Sequence, residues 1–241
     1  PDDVCQDLAA KALFCKQTLG QTILGTPHNI KYSDRHSILK FKEKHYAPPA
    51  TVISVCGKFD FDKLDKLIER YFESNCRKDG ALTETEPPVR YCSEFYHSFK
   101  QIEQSHLQMA WGGFGFGSDK RYANNILASV VGGGMTSRLY QKIREQQGLA
   151  YTVYAYPSYY SQGGTFEIYA GLSSENIDKT CGIVSDELNG LLQDGITDKE
   201  LARASVQAVN SLYMNVESSM TLMRLYGRSV LKFNEVFDID K

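Results

Sequence analysis

No stretch of this 241-residue chain approaches the roughly 18–20 apolar residues that span a bilayer. The most apolar segment, Ile126–Met135, is short and broken by three glycines. The opening Pro1-Asp2-Asp3 lacks the basic and then apolar pattern of a signal peptide, and the missing initiator Met suggests that Pro1 is not the natural start. Charge of one sign is also scarce. Lys and Arg number 27 against 29 Asp and Glu, for a net charge of −2, and no basic stripe is concentrated anywhere. That balance argues against a nucleic-acid partner held by phosphate contacts.

Metal-ligand spacing is missing too. A zinc peptidase needs two imidazoles one helical turn apart and a carboxylate to work on the bound water. None of His28, His36, His45, His97 and His106 has a second His at i+4 or begins an HxxE. The expectation is that no metal is held by this chain. Six cysteines at 5, 15, 56, 76, 92 and 181 include no CxxC pair, which reads as reduced thiols of an intracellular protein.

What is present is an ordinary soluble composition, 42% hydrophobic and 23% charged, and alternating helix and strand signals. Helices are expected over Val4–Phe14, from Ser33 to about His45 with Ile38, Leu39 and Phe41 inward, and from Asp60 or Asp62 onward. Thr51–Cys56 (TVISVC) is β-branched and bounded by Pro49 and Gly57, so it reads as a buried strand. Residues 76–90, with two prolines and mixed charge, read as a linker. Strands are then expected at Tyr91–Phe99 and His106–Phe114, followed by a helix ending at Gly132-Gly133-Gly134. A further helix is capped by Ser137 and stopped by Gly148, a residue suited to a left-handed C-cap. A hairpin-like pair, Ala150–Tyr156 and Thr165–Ala170, follows. Two helices close the chain, Ser174–Gln193 with a buried face through Leu192, and one opened by the capping box Thr197-x-x-Glu200. Strands grouped apart from helices predict an α+β fold.

The triple glycine lacks the Lys-Ser/Thr of a phosphate-binding loop and follows a helix, not a strand, so a flexible or close-packed helix junction is expected there. Downstream, Arg144 falls near a helix end and Tyr151 on the strand beyond the Gly148 turn. A helix–turn–strand connection can fold both side chains toward one spot, where a guanidinium and a phenol could meet a carbonyl or a developing oxyanion.

The string GGGMTSRLYQKIREQQGLAYTVYAY resembles the signature in the second homologous domain of the pitrilysin, insulysin and mitochondrial-processing-peptidase family of zinc metallopeptidases, the inverzincins. PDDVCQDLAAKALF, LGQTILGTPHNI and LKFKEKHYAPPATVISVCGKF resemble the latter half of that family's first domain. The smaller bacterial processing-type members are the most similar in kind. The resemblance implies a metallopeptidase-type α/β roll, an antiparallel sheet with helices on one side, present as two homologous domains of which the first is incomplete. It divides the chain into 1–79 (end of the first domain), 80–90 (linker) and 91–241 (second domain, cut short at its carboxyl end).

The same resemblance implies function. Arg144 and Tyr151 keep the family's seven-residue spacing and are the expected catalytic pair, reaching toward substrate and tetrahedral intermediate. Gly133, Gly134 and Ser137 are expected to contact substrate. Asp3 and Asp7, four apart on one helix face, are expected to meet a basic substrate side chain. Zinc is expected in the full-length enzyme, held by an HxxEH motif and a glutamate upstream of Pro1. The implied partners are a peptide substrate, bound as an added strand on a sheet edge upstream of Pro1, and either a second copy or the protein's own amino-terminal portion. A cytoplasmic, bacterial location is expected, with organellar and periplasmic alternatives. The rival implication is a non-catalytic relative acting as a substrate-binding or structural subunit.

Overall fold

The computed structural model describes residues 2–73 and 88–236. Most of the expected linker, and the expected premature end at 237–241, lie outside them. In chain order the main elements are α1 (Asp2–Phe14), α2 (Pro27–Tyr32), α3 (Arg35–His45), α4 (Phe61–Ile68), β1 (Ser105–Gly113), α5 (Lys120–Gly132), a π-helical turn (Tyr140–Gln146), β2 (Ala150–Tyr159), β3 (Gly164–Leu172), α6 (Ile177–Asp194), α7 (Asp198–Val216) and α8 (Ser219–Phe233). Contacts group the chain into two compact units. One takes the chain up to Gly25 and again through Ala208; the other runs from Thr26 through the α2–α4 region and resumes at Val209. The first 25 residues therefore belong by contact with the sheet-bearing unit, which a division by homology at 79–91 does not express.

The first unit is built on a three-stranded antiparallel sheet of order β1-β3-β2. Its hairpin pairs Ala155 with Ile168 and Tyr159 with Gly164, as the two alternating segments predict. One face carries Val153, Ala155, Phe166, Ile168, Ala170 and Leu172, which pack with Ala128 and Val131 of α5, Leu139 at the start of the π-helical turn and Ile143 within it, and Val184 of α6. Period-2 alternation on the strands meets period-3.6 faces on the helices, so one contiguous core forms.

The other sheet face is polar and aromatic, with Thr165, Glu167 and Tyr169 on β3 beside Tyr154 and Tyr156 on β2. Here α1 lies along β1. Among the described residues, the sheet thus has its main core on one face and α1 on the other. Cys15, in a left-handed conformation (φ 57°), follows α1 directly and forms a disulfide with Cys92 across a Cα–Cα distance of 5.7 Å. This corrects the expectation of six reduced thiols. Spacing alone could not show it, because the pair is 77 residues apart and only tertiary packing juxtaposes it. Cys92 N donates to Leu13 O (2.7 Å) and Arg90 N to the Gln17 side chain (3.0 Å), so the end of α1 is tied at several points. A cross-link over so long a loop stabilises by about 2–4 kcal/mol, chiefly by restricting the unfolded chain.

Two expected strands do not form. Residues 51–56 and 91–99 carry no ladder. A strand requires a partner backbone for its N–H and C=O groups, and among the described residues none is paired with either segment. Tyr91 instead turns its hydroxyl into the sheet's end, donating toward Gly164 O (2.9 Å), while Phe95 and Phe99 stay exposed. In the second unit α3 forms where expected, but Asp34 with Ser37 makes the capping box and Ser33 does not cap it. Ile38, Leu39 and Phe41, expected inward, are exposed. On α6 the predicted apolar face holds from Ile177 through Val184 and Leu188 to Leu191, whereas Leu192 is 85% exposed. Pattern gives the face a helix offers, and only a neighbouring element decides whether that face is covered.

Candidate functional site

The segment 138–151 is fixed from both ends. Leu139 and Ile143 are fully buried in the core. On its flanks, Arg138 makes a two-pronged ion pair with Glu200 at the start of α7 (2.7 Å from Nε and from Nη2) and donates to Gly195 O (3.2 Å). Lys142 pairs with Glu187 of α6. Gly148 adopts φ 59°, the left-handed cap expected of it. Its N–H donates to Arg144 O (3.1 Å) and that of Leu149 to Ile143 O (2.9 Å), which closes the turn and starts β2.

Glu200 serves two partners, because the expected capping box also forms: Thr197 N donates to its carboxylate (2.8 Å). The Arg138 guanidinium, helped by the Thr197 donors, holds the Glu200 carboxyl at about 2 against an ordinary 4.5. The folded value lies below the unfolded one, so this pair contributes stability above pH 4.5 that drains away as pH falls toward 2. Thermal melts of Glu200→Gln and the parent should therefore differ most at pH 6–7 and converge by about pH 2. A gap that stays constant across that range would exclude the linkage.

Tyr151 sits at an irregularity in the ladder: Ala150 pairs with Leu172 and Thr152 with Gly171, leaving Tyr151 without an opposite residue. Such a bulge re-aims the extra side chain, and Tyr151 is 70% exposed. The Arg144 guanidinium carbon lies 4.8 Å over its ring. The two residues expected to converge do so, yet the contact is cation on ring face, not guanidinium beside hydroxyl. A third residue joins them: Arg144 also lies 4.9 Å over the ring of Tyr140. The sequence reading missed Tyr140, although an aromatic four residues before an arginine on one helix is a readable signal.

The glycine-rich segment is occupied by its own chain. Gly133 O accepts from Gln207 Nε2 (3.4 Å), Thr136 O from Arg203 (3.0 Å), and Gly134 O from the Ser137 hydroxyl (2.6 Å). Ser137 itself is buried. At Gly132 an added Cβ would fall 2.3 Å from Ala155 N, so the junction is a close approach of α5 to β2, a helix–strand contact where a helix–helix one was expected.

Asp3 and Asp7 are both exposed on α1. Asp7 borders a cavity of about 180 Å³ whose other walls include Phe14, Tyr156, Tyr160 and Glu167; Asp3 is not among its lining. Beneath it Glu167 accepts from Tyr156 (3.0 Å), from Thr165 and from Gln108. Burial and the Glu167 carboxylate push the Tyr156 phenol well above its ordinary range; burial and Asp2 push that of Tyr169 up to about 12. Both phenols stay neutral at ordinary pH, and Tyr156 donates its hydrogen to Glu167. Among the described residues no three His, Cys, Asp or Glu side chains are grouped to hold a metal ion. No described helix is long and apolar enough to cross a membrane.

The small antiparallel sheet with its helical layer defines a metallopeptidase-type α+β roll domain. Solved structures share that fold: one described as a peptidase M16 inactive domain from Pseudomonas fluorescens (TM-score 0.83, 22% identity, 96% of this chain and 55% of that one), and a chain of complex III2 from Candida albicans with Inz-5 bound (0.83, 20%, 98% and 58%). The family model described as "Peptidase M16 inactive domain" matches residues 34–207: the chain belongs to the M16 peptidase family. Relatives named uncharacterized zinc proteases come from Bacillus subtilis (YmxG; 34% identity over 241 residues, 100% of this chain and 58% of the relative) and Streptomyces coelicolor (32% over 246 residues, 100% and 54%). The chain spans a little over half the length of these relatives.

Proposed function

We propose that this chain is the substrate- and transition-state-contacting portion of a zinc-dependent endopeptidase acting on peptides or presequence-like segments. The observation that carries the reading is the convergence of Arg144 with Tyr151 at the bulge of an otherwise rigid turn. Arg144 would hold the peptide by its carbonyl groups, and Tyr151 would donate a hydrogen bond to the oxygen that becomes negative as the carbonyl is attacked. Asp3 and Asp7 would receive a basic side chain of the peptide. Of the remaining expected contacts, Gly133 and Gly134 are exposed but their carbonyls already accept from Gln207 and Ser137, so a peptide would have to displace those bonds, and the buried Ser137 hydroxyl supports the segment instead. Zinc, when present in the full-length protein, supplies the Lewis acid and the activated water, and its ligands would come from outside this chain. The Cys15–Cys92 cross-link supports an oxidising location over the cytoplasmic expectation.

The test is made on the full-length protein. Purified protein should contain one zinc per chain and hydrolyse a quenched peptide. Removal of the metal with 1,10-phenanthroline should abolish turnover, and added zinc should restore it. A full-length protein that binds peptides, carries no zinc and cleaves none of a broad peptide library would overturn the reading in favour of a non-catalytic subunit.

A further inference from the structure

Tyr140 and Tyr151 both touch the Arg144 guanidinium, but they are held very differently. Tyr140 opens the π-helical turn Tyr140–Gln146, directly after the fully buried Leu139 and three residues before the fully buried Ile143, and packs against the main core. Tyr151 projects from a bulge and is largely exposed. The π-helical geometry of Tyr140–Gln146 sets Arg144 over the Tyr140 ring from within the same element, so that contact does not depend on how β2 is arranged. π-Helical turns inside helices are frequent at functional sites.

We infer that Tyr140 is a positioning residue for Arg144: the fixed ring that keeps the guanidinium in place when Tyr151 leaves it to engage a peptide. This rests on the reading of Arg144 and Tyr151 as the substrate-contacting pair. A long arginine side chain carries many rotamers, and its loss of order is costly when a ligand must be met in one geometry. Two rings share the guanidinium in the free protein. Once the Tyr151 hydroxyl turns to a carbonyl oxygen, that ring no longer supports Arg144. The Tyr140 face remains, anchored by the core, and constrains the guanidinium to present its in-plane N–H fork outward. The ring face does this work, not the phenol oxygen, so phenylalanine should substitute and an aliphatic residue should not.

The experiment uses the full-length protein with Tyr140→Phe, Tyr140→Leu, Arg144→Gln and the double variant Tyr140→Leu/Arg144→Gln. Steady-state hydrolysis of a quenched peptide gives kcat and KM. Modification of Arg144 by phenylglyoxal, followed by mass spectrometry, reads guanidinium freedom without reference to activity. Tyr140→Phe is expected to keep kcat/KM within about twofold, Tyr140→Leu to lose about tenfold and to be modified several-fold faster at Arg144. In the Arg144→Gln background the leucine change should cost nothing further, since there is no guanidinium left to place. If Tyr140→Leu instead lowers activity equally with and without Arg144, or leaves Arg144 modification unchanged, Tyr140 is only a packing residue and the inference falls. If Arg144→Gln itself retains full activity, the underlying reading of the pair fails, a distinct outcome. Should Tyr140→Leu not fold, Tyr140→Met supplies the same comparison in a side chain that adapts to the cavity.

Discussion

Tyr151→Phe in the full-length protein is expected to lower turnover by about 10²–10³-fold while leaving KM, zinc content and thermal midpoint close to the parent. The substitution removes one atom. The ring that Arg144 overlies at 4.8 Å is retained, so the cation–ring contact survives and a loss cannot be assigned to a displaced guanidinium. The ring is 70% exposed, and removal of its hydroxyl disturbs no core. On the proposed reading, what disappears is a donor to a developing negative charge, and a donor that matters only there lowers kcat and kcat/KM together. Peptide binding by the variant, measured by fluorescence anisotropy under conditions where no cleavage occurs, should match the parent. A Tyr151→Phe enzyme of full activity would remove Tyr151 from the chemistry and reduce it to a surface ring on a bulge.

The second large effect concerns architecture. Gly132→Ala should destabilise the sheet-bearing unit by about 3 kcal/mol, toward the upper end of what overpacking costs. For a chain of this size that corresponds to a fall of about 6–12 °C in the unfolding midpoint. The added methyl would lie 2.3 Å from Ala155 N and 2.8 Å from Ala155 Cβ. Ala155 is buried and paired with Ile168 at the heart of the hairpin, so β2 cannot retreat without breaking its ladder. Nor can α5 retreat cheaply, since its Val130 and Val131 are fully buried. Gly117→Ala is the control: a Cβ there meets nothing within 4 Å, and its midpoint should stay near the parent's. Equal midpoints for the two variants, by calorimetry, would show that α5 and β2 do not approach so closely. The glycines of the motif, read as a phosphate-like loop, would mislead; their physical role at Gly132 is to let a helix end touch a strand backbone.

Much of the sheet-bearing unit was legible. Gly148 as the left-handed cap, Thr197 with Glu200 as a capping box and the hairpin of β2 and β3 are local features, set by residues a few positions apart. Their chemistry is complete within a short window of sequence. The expected strands at 51–56 and 91–99 failed for the opposite reason. β-Branched composition shows that a segment can join a sheet, but the ladder itself belongs to two segments at once, and the partner is not written in either. The same limit explains Ile38, Leu39 and Phe41, which form an apolar helix face that the described residues leave uncovered.

By itself the sequence determined the Arg144–Tyr151 spacing across the Gly148 turn, the absence of metal-ligand spacing among its histidines, and the family to which the resemblance pointed. Those depend on residue identity and short-range geometry. Tertiary structure alone decided that Arg144 meets the Tyr151 ring face and shares it with Tyr140, that Ser137 turns inward, and that Cys15 closes on Cys92 over 77 residues. Each of these depends on which distant groups the packed core brings together, and no local pattern carries that information.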